Sequence, residues 1–161
     1  NSDVNNSTIK LADNMQISIT GTTVGDTITF TAVRNTPTNT GGSGGEFTDL
    51  TGFKFAARDG ASTAAYDSSG NLASGASEVT VSANSSQTIQ FTSDASGLKR
   101  YRLRCKANGD GSLGNGDGSF GGGGLEQRGT MTLKVTVANS SGNTITDQTL
   151  YTWTIEHDPF D

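Results

Sequence analysis

Polar and apolar residues alternate along almost the whole of this chain, and this pattern constrains the fold more than any other feature. Successive side chains of a β-strand point to opposite faces, so the alternation predicts strands that bury one face. We find no run with apolar residues at the spacing of an amphipathic helix. The alternating stretches are 15–20, 26–33, 52–57, 78–83, 87–92, 99–107, 130–139 and 149–157.

Eight short strands separated by turn residues predict an all-β protein built as an antiparallel β-sandwich. The chain has 161 residues, 31% of them hydrophobic, and 22 glycines, which suits two thin layers with long polar and Gly-rich loops. We expect an N-terminal arm over 1–14 and a single domain over 15–161. The segment NSSGN (139–143) predicts a hairpin between the last two strands.

Two motifs resemble those of bacterial immunoglobulin-like (Ig-like) domains of the PKD and Big types. In TTVGDTITFTA (22–32) a V-G-D turn leads into an alternating second strand, and DASGLKRYRLRC (94–105) is similar to the corner before their sixth strand. The resemblance implies an Ig-like sandwich, here with an extra C-terminal strand, that binds or scaffolds rather than catalyses. Two positions depart from antibody-type domains: Phe30 replaces the first Cys, and Trp153 lies in the last strand instead of the third.

The Ig-like order would place the third, sixth and seventh strands in one sheet, with the sixth in the middle. Their outward positions would then carry seven of the eleven basic residues of a chain whose net charge is −5. These cations could pair internally, for example with Glu126, Asp147 or Glu156, or form a face that docks on an acidic partner. Nucleic acid is the weakest reading, because the stripe lacks exposed aromatic residues between its cations. The predicted basic face comprises Lys54, Arg58, Arg100, Arg102, Arg104, Lys106 and Lys134.

The glycine-rich stretch NGDGSLGNGDGSFGGGG (108–124) contains a seven-residue motif twice in succession. The Ig-like order places this stretch at the same end of the domain as the loop 34–47. It could be a flexible connector or a calcium loop. For calcium, the spacing of its oxygen-bearing residues matches part of an EF-hand loop, but only two carboxylates converge, so the site would be weak. We favour a strap between subunits, because glycine allows close backbone approach. The calcium ligands would be Asn115, Asp117, Ser119 and Glu126, and the strap anchors Leu113, Phe120 and Leu125.

No catalytic constellation is recognisable in the sequence. The single histidine, His157, lies near the C-terminal end, and Cys105 is predicted to point into the core. Cys105 therefore has no histidine beside it to act as its base, and the two residues do not make a zinc site. No stretch approaches the roughly 20 apolar residues of a membrane span. We accordingly expect no enzyme, no membrane partner and no cofactor apart from the weak calcium site.

These observations together predict a structural protein of a bacteriophage virion, namely a capsid decoration, cement or fibre-type subunit. It would act by association with other virion or assembly proteins, and by homo-oligomeric or lattice contacts. One alternative is a cell-surface adhesion or carbohydrate-binding module. Another is a subunit of an extracellular filament, in which the N-terminal arm, with Ile9 and Leu11, adds a strand to its neighbour.

Overall fold

The computed structural model describes residues 13–35, 54–82, 84–106 and 127–157. Within these ranges the chain forms eight β-strands and no helix, and each strand overlaps one of the predicted stretches. The largest difference in bounds is in the last strand, which begins at Thr144 rather than at 149. The strands are β1 (Met15–Thr22), β2 (Thr27–Asn35), β3 (Lys54–Asp59), β4 (Ala76–Thr80), β5 (Ser85–Thr92), β6 (Gly97–Lys106), β7 (Gln127–Ala138) and β8 (Thr144–His157).

The strands form two four-stranded antiparallel sheets, one in the order β1-β6-β3-β4 and the other in the order β5-β2-β7-β8. The predicted all-β, two-sheet architecture is therefore confirmed. The predicted hairpin is also present, since β7 and β8 pair directly on either side of 139–143.

The predicted neighbourhood of the seventh strand is wrong. β3 and β6 are adjacent, as expected, but β7 pairs with β2 and β8 in the other sheet. The place beside β6 is taken by β1, where Ile17 lies opposite Tyr101. Alternation specifies which face of a strand is buried and leaves its neighbour open, so the sequence pattern could not distinguish the two arrangements.

The core lies between the sheets and is built from the inward positions of the central strands. The ring of Tyr101 on β6 lies 5.2 Å from that of Phe30 on β2 and 5.1 Å from that of Phe91 on β5. These contacts place β6 over β2 and β5. Full burial of one large apolar side chain stabilises a fold by about 1.5–3 kcal/mol. The central strands β2 and β6 together contribute six fully buried side chains, those of Ile28, Phe30, Ala32, Tyr101, Leu103 and Cys105.

The V-G-D motif forms a turn that is tied to the end of β5, the neighbour of β2 in the same sheet. Gly25 has φ +94°, a conformation that favours glycine, and the buried Asp26 accepts a hydrogen bond from the Thr23 N–H at 2.8 Å. The backbone of this turn exchanges two hydrogen bonds with Ser93, from the Gly25 N–H at 2.9 Å and to the Asp26 carbonyl at 2.8 Å. The motif therefore fixes the start of β2 against the end of β5.

Candidate functional site

Six of the seven residues of the predicted basic face lie on one sheet. Arg100, Arg102, Arg104 and Lys106 occupy alternate positions of β6, and Lys54 and Arg58 lie opposite Lys106 and Arg102 on β3. Lys134 does not belong to this face, because β7 is in the other sheet. Its side chain lies 3.8 Å from the carboxylate of Asp147 on β8, which is one of the internal pairs that the sequence allowed.

The connection between β3 and β4, residues 60–75, covers much of this face and is called the cover segment below. Ala56 stands on the outer side of β3, between Arg104 and Glu78, yet it is fully buried. Ala65 and Tyr66 of the cover segment are also fully buried. A surface that the sequence predicted to be open is therefore a second, smaller packing layer.

The arginines of the face hold the cover segment by its carbonyl oxygens. Arg102 Nε donates to the carbonyl of Ala61 at 2.8 Å, and Arg104 Nη1 donates to that of Tyr66 at 3.0 Å. Arg58 Nε donates to the carbonyl of Ser74 at 3.1 Å, near the far end of the segment. Hydrogen bonds from charged donors are stronger than neutral ones, so these side chains act as clamps.

Tyr66 anchors the middle of the cover segment. Its hydroxyl donates to Glu78 Oε2 at 2.6 Å, and the ammonium of Lys106 lies 4.8 Å from the centre of its ring. Burial, together with the hydrogen bond to Glu78, raises the pKa of Tyr66 well above its ordinary value. Burial alone would raise the pKa of Glu78, but the Tyr66 hydrogen bond and the charge of Lys54, 3.4 Å away, lower it. The phenol thus stays protonated beside an ionised carboxylate.

The docking role of the basic face stays a prediction. Among its seven residues Arg100 alone is exposed, and the others are half-buried.

A second charged cluster joins the ends of β3 and β6. Lys99 Nζ lies 2.9 Å from the carboxylates of both Asp59 and Asp94. The hydrogen bond to Asp59 raises the pKa of Lys99 well above its ordinary value, so the amine is held as an ammonium ion and is not a nucleophile. Burial likewise raises the pKa of Cys105 to about 12, which keeps its thiol protonated at neutral pH.

An open groove of about 220 Å³ lies between β1 and the β7–β8 pair, on the side of the sandwich away from β4 and β5. Its wall is the run 17–20 of β1, and its floor is formed by Val135 of β7 with Thr146, Gln148 and Leu150 of β8. Four consecutive residues of one strand can line a groove only if the edge of that strand faces it. β1 thus presents its free edge to the groove, since β6 is its one partner among the described strands.

This groove was missed by the sequence analysis, although the sequence carries a signal for it. Val135 and Val137 point into the core, and Gln148 and Thr146 lie opposite them on β8. Polar residues at inward positions indicate that no strand of the other sheet covers them. The same polarity breaks the alternation over the first third of β8, residues 144–148.

The strap anchors and calcium ligands proposed for the glycine-rich stretch, all between 113 and 126, lie outside the described residues. The strands on either side of that stretch are β6, which ends at Lys106, and β7, which begins at Gln127. β2 and β6 end, and β3 and β7 begin, at the same end of the sandwich. In the described part of the chain no cluster of three His, Cys, Asp or Glu side chains could hold a metal ion.

No protein-family model, no curated protein and no solved structure matches this chain. The described residues include no helix long and apolar enough to cross a membrane.

Proposed function

We propose that this protein is a non-catalytic structural subunit that works by associating with other copies of itself through the groove beside β1. The observation that carries the proposal is the free edge of β1, which faces a groove floored by two strands of the opposite sheet. An exposed edge offers a row of unpaired backbone N–H and C=O groups to another chain. The setting we propose is a virion, in which the protein would be a decoration, cement or fibre-type subunit.

The composition of β1 supports this role. Proteins usually protect an edge strand with charged residues, proline or a short length. β1 is eight residues long and has neither a charge nor a proline. β4, the edge strand at the other side of the same sheet, has five residues and carries Glu78. The two edges of one sheet therefore differ, and the groove lies at the unprotected one.

The bulge in β8 also shapes this surface. The register of β7 and β8 shifts between Leu133 and Lys134, so that Leu150 has no partner on β7 and lines the groove instead. An extra residue in one strand re-aims its side chain and bends the strand. The groove therefore gains an apolar floor beside polar neighbours.

The carbohydrate-binding alternative is not supported by the described residues. Sugar sites use exposed aromatic rings for stacking, whereas the ring of Tyr66 in the cover segment is fully buried. The Ig-like relationship also stays a proposal, since β7 departs from the expected order.

Sedimentation velocity over a range of concentrations tests self-association. We expect the wild-type chain to form dimers or larger species, and Gln148→Lys to weaken them by at least about tenfold because it places a charge in the groove floor. Thr152→Lys is the matched control, since Thr152 is exposed on the opposite face of the same strand. A wild-type chain that stays monomeric at every concentration would contradict the proposal.

A further inference from the structure

The groove lies where the sheet β1-β6-β3-β4 could be extended by one strand. Because β6 lies over β2 and β5, its neighbour β1 lies toward β7, and in the described part of the chain no strand of the first sheet lies opposite the 146–150 stretch of β8. A strand added to the edge of β1 would extend the sheet β1-β6-β3-β4 by one and cover that stretch. Its inward side chains would contact Ile17, Val135 and Leu150, and its outward side chains would face solvent.

We propose that residues 7–12 of a second copy of this chain fill the groove as this additional strand, paired with the free edge of β1. The proposal rests on the proposed function, because it names the partner segment of the same surface. In this strand Ile9 and Leu11 point into the groove, and Thr8, Lys10 and Ala12 point outward.

The length and pattern of the chain before β1 fit this occupant. Residues 7–12 directly precede the first described residue, and fully extended they reach about 20 Å. β1 itself spans eight residues, so the segment can pair along most of the β1 of another copy. Polar and apolar residues alternate over TIKL (8–11), which places Ile9 and Leu11 on one face of a half-buried strand.

Turn geometry favours a second copy over the same chain, because a tight hairpin is disfavoured. With a two-residue turn, Ile9 would lie opposite the exposed Ser18 instead of facing the groove.

A three-residue turn would restore the correct face, but it needs a left-handed residue at its third position, which is Asn14. Among the described non-glycine residues Asn84 alone has a positive φ, so Asn14 does not adopt that conformation. The return of the segment into its own groove by either of these short turns is therefore excluded on geometry.

Charged substitutions on the two faces of the segment test the proposal in the full-length chain. Ile9→Lys with Leu11→Lys places two charges in the groove, and Thr8→Lys with Ala12→Lys adds the same two charges on the outward side. We expect the first variant to weaken self-association by at least about tenfold and the second by less than about twofold, as measured by sedimentation velocity. Equal effects would overturn the assignment of Ile9 and Leu11 to the groove.

Cross-linking identifies which copy supplies the strand. One chain carries Ile9→Cys and a second, mass-tagged chain carries Gln148→Cys, and the mixture is treated with a short bis-maleimide. The native thiol of Cys105 is buried, so it stays unreactive. We expect a cross-linked pair that contains one chain of each mass.

The other outcomes separate the two proposals. If a chain carrying both substitutions cross-links only within itself, its own arm fills the groove and the inference is wrong. If wild-type chains associate but the mixed pair does not form, the inference is wrong and self-association through another surface stands. If wild-type chains stay monomeric and no mixed pair forms, both the inference and the proposed function are wrong.

Discussion

Two five-residue turns in this protein have almost the same sequence, DSSGN at 67–71 and NSSGN at 139–143, and the same hydrogen bonds. In the first, a side-chain oxygen of Asp67 accepts the N–H groups of residues 69 and 71, both at 2.9 Å. In the second, Asn139 accepts those of residues 141 and 143, both at 3.0 Å. Each glycine has φ +84°. Local sequence therefore determines the turn itself, wherever the turn lies.

The surroundings of the two turns differ. The first belongs to the cover segment, where Gly70 is buried and Tyr66 immediately precedes the turn. The second joins β7 to β8, where Gly142 is exposed and Ala138 precedes it. The charge of Asp67 acts favourably on Arg104, whereas Asn139 is neutral. The comparison teaches that tertiary contacts, and not the turn, convert one of these segments into a cover for the basic face.

The largest expected effect on stability comes from replacing Tyr66, which precedes the first turn, by alanine, the residue that precedes the second. Tyr66→Ala should reduce the free energy of unfolding by roughly 3–5 kcal/mol, because it removes a buried ring and the hydrogen bond to Glu78. Urea denaturation measures the loss. Tyr66→Phe keeps the ring and should cost about 1–3 kcal/mol for the lost hydroxyl. A cost below about 1 kcal/mol for Tyr66→Ala would show that the cover segment is held by other contacts.

A smaller effect is expected at the two glycines, where the turns are alike. Gly142→Ala should cost about 1–2 kcal/mol, because alanine is strained at positive φ. A β-carbon there meets no atom within 4 Å, so strain is the whole effect. Gly70→Ala should cost at least as much, since Gly70 is buried. A neutral Gly142→Ala, again by urea denaturation, would mean that the exposed turn does not need this conformation.

The smallest expected effect is a difference in acid sensitivity. The backbone hydrogen bond from Asn71 lowers the pKa of Asp67 below its ordinary value of 3.8. A lowered pKa means that the carboxylate stabilises the fold above about pH 4, and that this contribution is lost as the pH falls below 3.8 toward the folded-state value. Asp67→Asn should therefore flatten the loss of stability in acid, and Asn139→Asp should steepen it. Urea midpoints at neutral and acidic pH measure both, and identical pH profiles for wild type and Asp67→Asn would contradict this account.

Much of the fold could be predicted because alternation reports burial directly. Tyr101, Leu103 and Cys105 were expected to point inward on β6, and all three are fully buried. The V-G-D turn and the hairpin at 139–143 were also predicted, since both are set by residues close in sequence. The cover segment was not predicted, because 60–75 has no alternation that would show it lying over a sheet.

The candidate site was predicted least well. Six basic residues were correctly grouped on one face, but their burial depends on Tyr66 and on carbonyl groups far away in sequence. The groove depends on which strands are neighbours and on how far one sheet extends beyond the other. Polar residues at inward positions, such as Gln148, are consistent with an uncovered part of the sheet, but in the sequence alone they resemble loop residues.

By itself, the sequence determined the strands, their buried faces and the two matched turns, because each of these depends on side chains within a few residues of one another. Only the tertiary structure decided that β7 pairs with β2 and not with β6, that the cover segment packs on the basic face, and that β1 has a single partner among the described strands. These features result from competition between distant surfaces for the same contacts. Such competition is settled by the packing of the whole domain and leaves no periodic trace in the chain.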